Sequence, residues 1–426
     1  MMATENMRAL HYLEQLQELD SSQGLSERLA PNFDKLPQRV SGGSQVSDSA
    51  IERRWKLLNV SIESKAALHE SSPEIYQKNI EQFIGTVKLP VGLAGPLRVN
   101  GIFAHGDYYI PLATTEAALV ASYHRGTQVI SQSGGCNTLL LSEGVSRAPG
   151  FVFRNLAEAG LFVAWAVKHL DDFKQTAEST TRYGKLEDMR VTIEGNHIYL
   201  IFDYTTGDAA GQNMVTIATD AICQFIIANS PVTPQYHFVE ANLSGDKKAS
   251  AQSFQTVRGK KVTAEVIVPA NLVHRLLHTS TERMVDYWRM SAMGGVLSGT
   301  IGVEGQFANG LTALYIACGQ DAACVAESAV GVTRFEEQAD GSLYATVTLP
   351  NLIVGTVGGG TGLPGQQACL DIMGLAGPGN ARALAEICAA LTLAGELSII
   401  GALSAGGFTS AHQRLARGKE SITHDE

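Results

Sequence analysis

The chain has 426 residues, 45% hydrophobic and 17% charged, which at roughly 100–200 residues per domain allows several domains with a sizeable core. Its 32 Lys and Arg against 42 Asp and Glu leave a formal charge of −10, which excludes a general nucleic-acid or membrane-surface binder but leaves room for a local basic pocket. Gly occupies 43 positions without a repeat, so tight turns and close backbone approaches are expected rather than disorder.

Residues 1–74 read as a helical, charged N-terminal region, whose opening MMATENMRALHYLEQLQELD lacks the apolar core of a secretory signal. A polar Gly/Ser stretch (38–49) splits it, and SDSAIERRWKLL (47–58) puts a Ser or Asp cap before Trp55, Leu57 and Leu58. Residues 84–101 read as strand and turn. TTEAALVASYHRGTQVI (114–130) predicts a helix capped by Thr114 or Thr115. Its apolar face would be Ala117, Val120, Ala121 and Val129, with Gly126 an interruption. The pattern changes over 148–238, which reads as a compact α+β insertion. It holds a helix (156–178), a hairpin (189–204) around Glu-Gly-Asn, and a long helix facing inward with Met214, Ile217, Ala221, Ile222 and Phe225. Beyond 249, helices alternate with glycine loops. The apolar stretch Ala383–Phe408 is interrupted by Glu386 and Glu396, so no membrane span is expected. The six cysteines are scattered without a CxxC pair, which predicts neither a metal site nor a disulfide framework and fits a reducing cytosol.

Six motifs carry candidate chemistry. Gly207-Asp208-Ala209-Ala210-Gly211-Gln212-Asn213-Met214 lies between a strand and a helix N-terminus, where free N–H groups suit a pyrophosphate; a plain turn with an Asp cap reads the same way. Asp246-Lys247-Lys248 offers ammonium groups to an oxyanion or carboxylate, or is a solvated loop. Asp321 directly follows an uncharged run, which is costly unless the acid is paired, protonated or at an element end facing water. Glu116 falls in a first helical turn, where an acid is favoured by the helix dipole alone. His412 follows glycines in a terminal segment able to fold over a site, or is structural. Gly355–Gly362 presents amides to a phosphate or packs tightly. Together these are an inventory for hydride transfer with general-acid assistance.

PVGLAGPL (90–97), PLATTEAALVAS (111–122), GDAAGQNM (207–214), DKK (246–248), IACGQDAA (316–323) and GTVGGGTGLPGQQACL (355–370) resemble, in order and spacing, the hydroxymethylglutaryl-CoA (HMG-CoA) reductase family. The likeness runs from about Glu81 to Arg417 and is closer to the class with eukaryotic and archaeal members, in a soluble, cytoplasmic form without the membrane anchor. It implies an α+β fold. A large, mostly helical substrate domain (75–147 and 239–402) would carry an inserted small ferredoxin-like NADP-binding domain (148–238), and a C-terminal flap (403–426) would carry His412. It also implies a homo-oligomer with the site at a dimer interface, and four-electron reduction of HMG-CoA to mevalonate by two NADPH. Lys247 would stabilise oxyanions, Glu116 would donate the proton at the aldehyde stage, Asp321 would sit between them, and His412 would protonate the CoA thiolate. Glu81, Ser122, Arg125, Arg147, Asp246, Lys248 and Asn309 would bind substrate. Thr181, Arg182, Asp208, Gly211, Asn213, Met214, Gly358, Gly359, Gly360 and Arg417 would bind the cofactor, with Arg182 favouring NADPH over NADH.

The chain also departs from the family pattern. Ala210 and Gln212 replace methionines, Gln306 a common histidine, His124 an asparagine and Glu240 a serine; Arg289 falls near a second substrate lysine, and Gly418 takes the place of a regulatory phosphoserine. The alternatives are a mevalonate-oxidising, NAD-dependent form, a reductase for another branched acyl-CoA, and a binding protein that has lost turnover.

Overall fold

The computed structural model describes residues 24, 31, 38–40, 46–58, 60–255 and 258–406. The chain divides into two compact units, Met1–Val87 and Lys88–Glu426. In the first, helix α1 (Asp48–Trp55) starts at Ser47, whose hydroxyl accepts from the Ala50 N–H, and α2 (Ile62–Ala67) starts at Ser61 in the same way. Arg54 and Trp55 on α1 donate to the carbonyls of Phe83 and Ile84, both at 2.9 Å, which pins that segment to the helix.

The second unit opens with the antiparallel pair β1 (Val91–Gly101) and β2 (His105–Ala113), then α3 (Leu119–Gln132) and β3 (Cys136–Arg147). There follow β4 (Gly150–Val152), α4 (Leu156–Ala166), α5 (Leu170–Glu178), β5 (Lys185–Glu194), β6 (His197–Thr205), α6 (Gln212–Asn229), β7 (Tyr236–Phe238) and β8 (Gly259–Val268). Last come α7 (Thr281–Ser298), α8 (Phe307–Ala317), α9 (Val325–Ser328), β9 (Val332–Glu337), β10 (Leu343–Leu352), α10 (Pro364–Ile372) and α11 (Ala381–Ser404).

The strands run β7-β4-β6-β3-β8-β10-β9, with β1 beside β3, β2 beside β1 and β5 beside β6. Strand β3 is long enough to serve two regions. Residues Asn137–Gly144 pair with β8, and Val145–Arg147 pair with β6. Helices and strands share both regions, and each region has its own core. The smaller core takes Phe151, Phe162, Phe173, Phe202 and the inner face of α6. The larger places the alternating Val262, Ala264, Val266 and Val268 of β8 and Leu343, Ala345, Val347 and Leu349 of β10 in one cluster with α11.

Among the described residues α11 is the one helix long and apolar enough to cross a membrane, and it is buried in this core. Its two acids are also buried. Glu386 accepts from the N–H groups of Phe103 and Ala104, and Glu396 from those of Gly305 and Gln306 and from the Thr333 hydroxyl, so neither carboxylate lacks donors.

Three expectations need correction. The chain beyond 249 is not helices and glycine loops alone, because β8, β9 and β10 form paired strands in a region expected to be mostly helical. Helix α3 begins at Leu119 after Ala118, which adopts a left-handed φ of 71°. Neither threonine caps it. Thr114 Oγ1 instead accepts from the Glu116 N–H at 3.0 Å, so Glu116 stands on a loop and not in a helical turn. The inner face of α3 is Leu119, Tyr123, Gly126, Thr127, Val129 and Ile130, while Ala117 and Ala121 are exposed. Gly126 is no interruption: a Cβ there would lie 1.8 Å from the Ala394 carbonyl oxygen, so its bare Cα is what lets α3 cross α11. Helix α6 is likewise rotated from the expected face. It buries Val215, Ala218, Thr219, Ile222, Cys223 and Ile226, and Ile217 is exposed.

Candidate active site

Four of the motifs converge. Thr356 donates to the Asp208 carbonyl at 2.9 Å, and Ala209 and Val357 form a parallel bridge. The Gln320 side chain donates to the Gly355 carbonyl at 2.9 Å and accepts from the Gly355 N–H at 2.8 Å. Gly319 lies so close to Gly360 that a Cβ on Gly319 would meet the Gly360 carbonyl oxygen at 2.4 Å. The 207–214, 316–323 and 355–362 segments are thus one assembly, and the DKK loop joins it through Lys247, whose Nζ lies 2.7 Å from Asp321 Oδ2.

Lys247 and Asp321 are half-exposed, with side-chain exposures of 41% and 43%. The hydrogen bond to Asp321 raises the Lys247 pKa, so the ammonium is kept charged. Asp321 has a second task, accepting from the Ala323 N–H at 3.0 Å and so starting the helical segment that leads into α9. It is therefore a paired acid at an element end.

Beneath this pair lies an ionic network. Arg147 donates to Asp246 Oδ2 at 2.8 Å and to both the carbonyl and side-chain oxygens of Gln212 at 3.2 Å. Arg258 bonds Asp246 Oδ1 and Gln212 Oε1, and its Nε stands 3.2 Å from Glu327 Oε2. Burial alone would raise the Asp246 carboxyl, but the Arg258 and Arg147 guanidiniums outweigh it and hold it below its ordinary value. Glu327, fully buried, is pushed up to about 7 by desolvation. Glu240 accepts from Ala148, Asn242 and Ser244 and lies 3.5 Å from Arg147. Burial also pushes the neighbouring Cys324 thiol up to about 12, so it stays protonated.

Arg258, Gln212 and Glu327 were not among the expected site residues. The cost argument that singles out Asp321 applies with more force to Glu327, an acid inside the apolar run Ala322–Val330.

The cofactor-side residues divide. The Asp208 carboxylate accepts from the N–H groups of Gly379 and Ala381, so it caps α11. This is the Asp-cap alternative, realised on a distant helix. Helix α6 starts at Gly211 with no side-chain cap, Asn213 is exposed beside it, and among the described residues no atom beyond the chain neighbours stands within 4 Å of where a Cβ on Gly358 or Gly359 would be. Thr181 holds its own loop and Met214, donating to Met214 Sδ at 2.9 Å, and leaves Arg182 exposed without an ion-pair partner among the described residues.

On the substrate side, Ser122 and Arg125 bond Ser398 on α11, Lys248 is exposed, and Asn309 is exposed on α8. Glu81 is on an exposed turn of the N-terminal unit. Glu116 is exposed and bonded to neither Lys247 nor Asp321. His412 and Arg417 lie outside the described residues. Among the described residues no group of three His, Cys, Asp or Glu is placed to hold a metal, and the six cysteines are free and buried.

The family model for hydroxymethylglutaryl-coenzyme A reductase matches residues 50–417. The chain belongs to this reductase family. It is 41% identical over 382 residues to the 3-hydroxy-3-methylglutaryl-coenzyme A reductase of Pyrococcus horikoshii, covering 88% of this chain and 91% of that one. The reductase of Haloferax volcanii is also 41% identical over 382 residues, covering 87% and 94%. The class II reductase from Streptococcus pneumoniae bound to NADPH shares the fold, with a TM-score of 0.64 at 19% identity over 84% of this chain and 97% of that one. Membership makes the chain an oxidoreductase, and its archaeal relatives agree with the class expected from the motifs.

Proposed function

We propose that the chain reduces HMG-CoA to mevalonate, with the balance acyl-CoA + 2 NADPH + 2 H⁺ giving mevalonate + 2 NADP⁺ + CoA. The observation that carries this reading is the Lys247 ammonium, held 2.7 Å from Asp321 where the motifs converge. Reduction turns a carbonyl oxygen into an oxyanion, and a fixed ammonium stabilises charge that develops only on the way to product. Lys247 holds that oxygen at the thioester stage and again at the aldehyde stage, while Asp321 keeps it charged and aimed. Glu116 donates the proton at the aldehyde stage, and His412 protonates the leaving thiolate.

The residues on the cofactor side fit NADPH. The N-terminus of α6, which has no side-chain cap, and the space beside the Cα of Gly358 suit its phosphates, and exposed Arg182 suits a 2′-phosphate. NADPH bound there would supply the two hydrides. The acyl carboxylate goes to exposed Lys248, while Arg147, bonded to Asp246 and Gln212, orients the loop.

The separate core of Val145–Ile226 supports residues 148–238 as an inserted ferredoxin-like cofactor domain within a substrate domain of 75–147 and 239–402. Exposed Met290, Met293, Val296 and Leu297 on α7, and Leu139, Leu141 and Ile267 on the outer face of the sheet, support a homo-oligomer whose sites lie at the subunit interface. Six free cysteines fit a cytoplasmic enzyme.

The purified chain, given HMG-CoA and each reduced nicotinamide, should consume two NADPH per CoA released and prefer NADPH to NADH. Lys247→Ala should lower both reductive steps by at least about 100-fold. Free CoA without NADPH oxidation, or an unimpaired Lys247→Ala variant, refutes the reading. Glu240 beside Arg147 favours a second reading, a reductase for an acyl-CoA whose acyl end is less anionic. A faster rate with such a thioester than with HMG-CoA would select it.

A further inference from the structure

Lys247 is gripped at two points by one short segment. Its ammonium meets Asp321 Oδ2 at 2.7 Å, and its backbone N–H donates to Glu327 Oε1 at 3.0 Å. Asp321 and Glu327 are six residues apart, on the turn that opens at the Asp321 cap and runs through α9. The tip of the lysine and its root are therefore fixed by the same rigid piece.

The root needs fixing. Lys247 has φ 57°, the left-handed region that a residue with a Cβ rarely adopts and holds only where its surroundings impose it. The loop around it is polar, with Asn242 at φ 66° and Gly245 at φ 74°. The partner of the Lys247 N–H is a fully buried carboxylate and not a backbone carbonyl. Its oxygen accepts in either protonation state, and the bond is stronger when the carboxylate is ionised, more so in a low-dielectric interior.

Glu327 in turn faces Arg258. The 3.2 Å approach of Arg258 Nε to Glu327 Oε2 is an ion contact without the alignment of a hydrogen bond, and both atoms lack other partners among the described residues. Arg258 also bonds Asp246, the residue before Lys247. Glu327 thus reaches the loop twice, directly at residue 247 and through Arg258 at residue 246.

We propose that Glu327 is a positioning residue for Lys247, setting through its backbone N–H the place at which the ammonium meets the carbonyl oxygen. This rests on the role assigned to Lys247 above. Displacing a reacting group by about 1 Å costs on the order of 100-fold in rate without requiring weaker substrate binding. The signature is therefore a fall in kcat with KM preserved.

The test uses the full-length chain with Glu327→Ala and Glu327→Gln. Glu327→Ala should lower kcat for HMG-CoA reduction by about 100-fold, with KM for HMG-CoA and NADPH within about threefold. Glu327→Gln keeps an acceptor for the Lys247 N–H and should retain kcat within about tenfold of wild type. A second readout does not need turnover. In the wild type, acetic anhydride should label Lys247 more slowly than the adjacent exposed Lys248, as read by peptide mass spectrometry, and in Glu327→Ala the two rates should converge. A lowered melting temperature with unchanged kcat and unchanged labelling would mean that Glu327 only stabilises the fold, and the proposal would be overturned. A kcat loss matched by an equal rise in KM, or no rescue by Gln, would overturn it as well. If the wild type does not turn over HMG-CoA the functional reading fails, while the labelling comparison still decides whether Glu327 sets Lys247.

Discussion

Glu304 stands just before Gln306, at the end of the segment that bonds Glu396 on α11. Burial and the nearby Glu396 charge push its carboxyl from 4.5 to about 7, and its Oε2 has no hydrogen-bond partner among the described residues. The folded protein therefore holds this proton more tightly than the unfolded chain. That stabilisation is fully present below about 4.5 and is lost as pH rises through about 7, where folding requires a partly buried charge. The wild type should accordingly lose melting temperature between pH 5.5 and pH 8. Glu304→Gln removes the titration and should shrink that difference, which paired thermal melts at the two pH values would measure. An identical pH dependence in the two proteins would show that Glu304 titrates normally. Asp246 of the site behaves differently, lying below its ordinary value because two guanidiniums face it and so staying ionised over the same range, whereas Glu327, pushed up to about 7, shares the direction of Glu304.

At the scale of elements, two helices that adjoin site segments, α3 and α11, cross one another closely. Helix α3 follows the Glu116 loop, and the N-terminus of α11 is held by Asp208. Gly126 permits their contact, since its Cβ would fall 1.8 Å from the Ala394 carbonyl oxygen and 2.8 Å from the Ala394 Cα, both backbone atoms that cannot swing away. Gly126→Ala should therefore cost about 1–3 kcal/mol, as overpacking a tight core does, and lower the denaturant midpoint without a comparable loss in Gly160→Ala, at an exposed position on α4 where an added Cβ meets no described atom within 4 Å. The same crossing explains what the sequence could not disclose. A buried glycine on a helix and a helix-breaking glycine look alike until the partner helix is known. The buried faces of α3 and α6 differ from the apolar pattern because small, polar and aromatic residues make many of their contacts: Tyr123, Gly126 and Thr127 on one, Ala218, Thr219 and Cys223 on the other. Where a local signal carried the information it was readable. Ser47 caps α1 and the hairpin turns at Gly195-Asn196, whereas the cost of an acid beside an apolar run asks only that Asp321 be paired, protonated or at a water-facing element end, and Lys247 as its partner comes from the family resemblance. The ionic floor of Arg147, Asp246, Arg258 and Glu327 joins positions up to 180 residues apart in the chain, and long-range pairing of that kind has no local signature.

At the scale of the whole molecule, the position of Glu116 decides how the site is completed. The chain brings Lys247 and Asp321 together, but Glu116 stands exposed on its loop with no hydrogen bond or ion pair to either. A proton donor serving the oxygen that Lys247 holds must come within hydrogen-bond reach of it. In a symmetric dimer each interface site would take Glu116 from one protomer and Lys247 from the other, and the exposed apolar residues of α7 and the outer sheet face mark surface available for such an interface. Glu116→Gln and Lys247→Ala should each abolish turnover as homo-oligomers. Co-expressed with distinct affinity tags and purified on both, they form a hybrid in which one of each pair of interface sites keeps both residues, so activity should return to about half that of the wild type per dimer. If both residues serve the same site from within one chain, every site in the hybrid lacks one of them and the doubly purified protein stays inactive. A hybrid with no activity, alongside a wild type that is active as a monomer by light scattering, would put the complete site in a single chain.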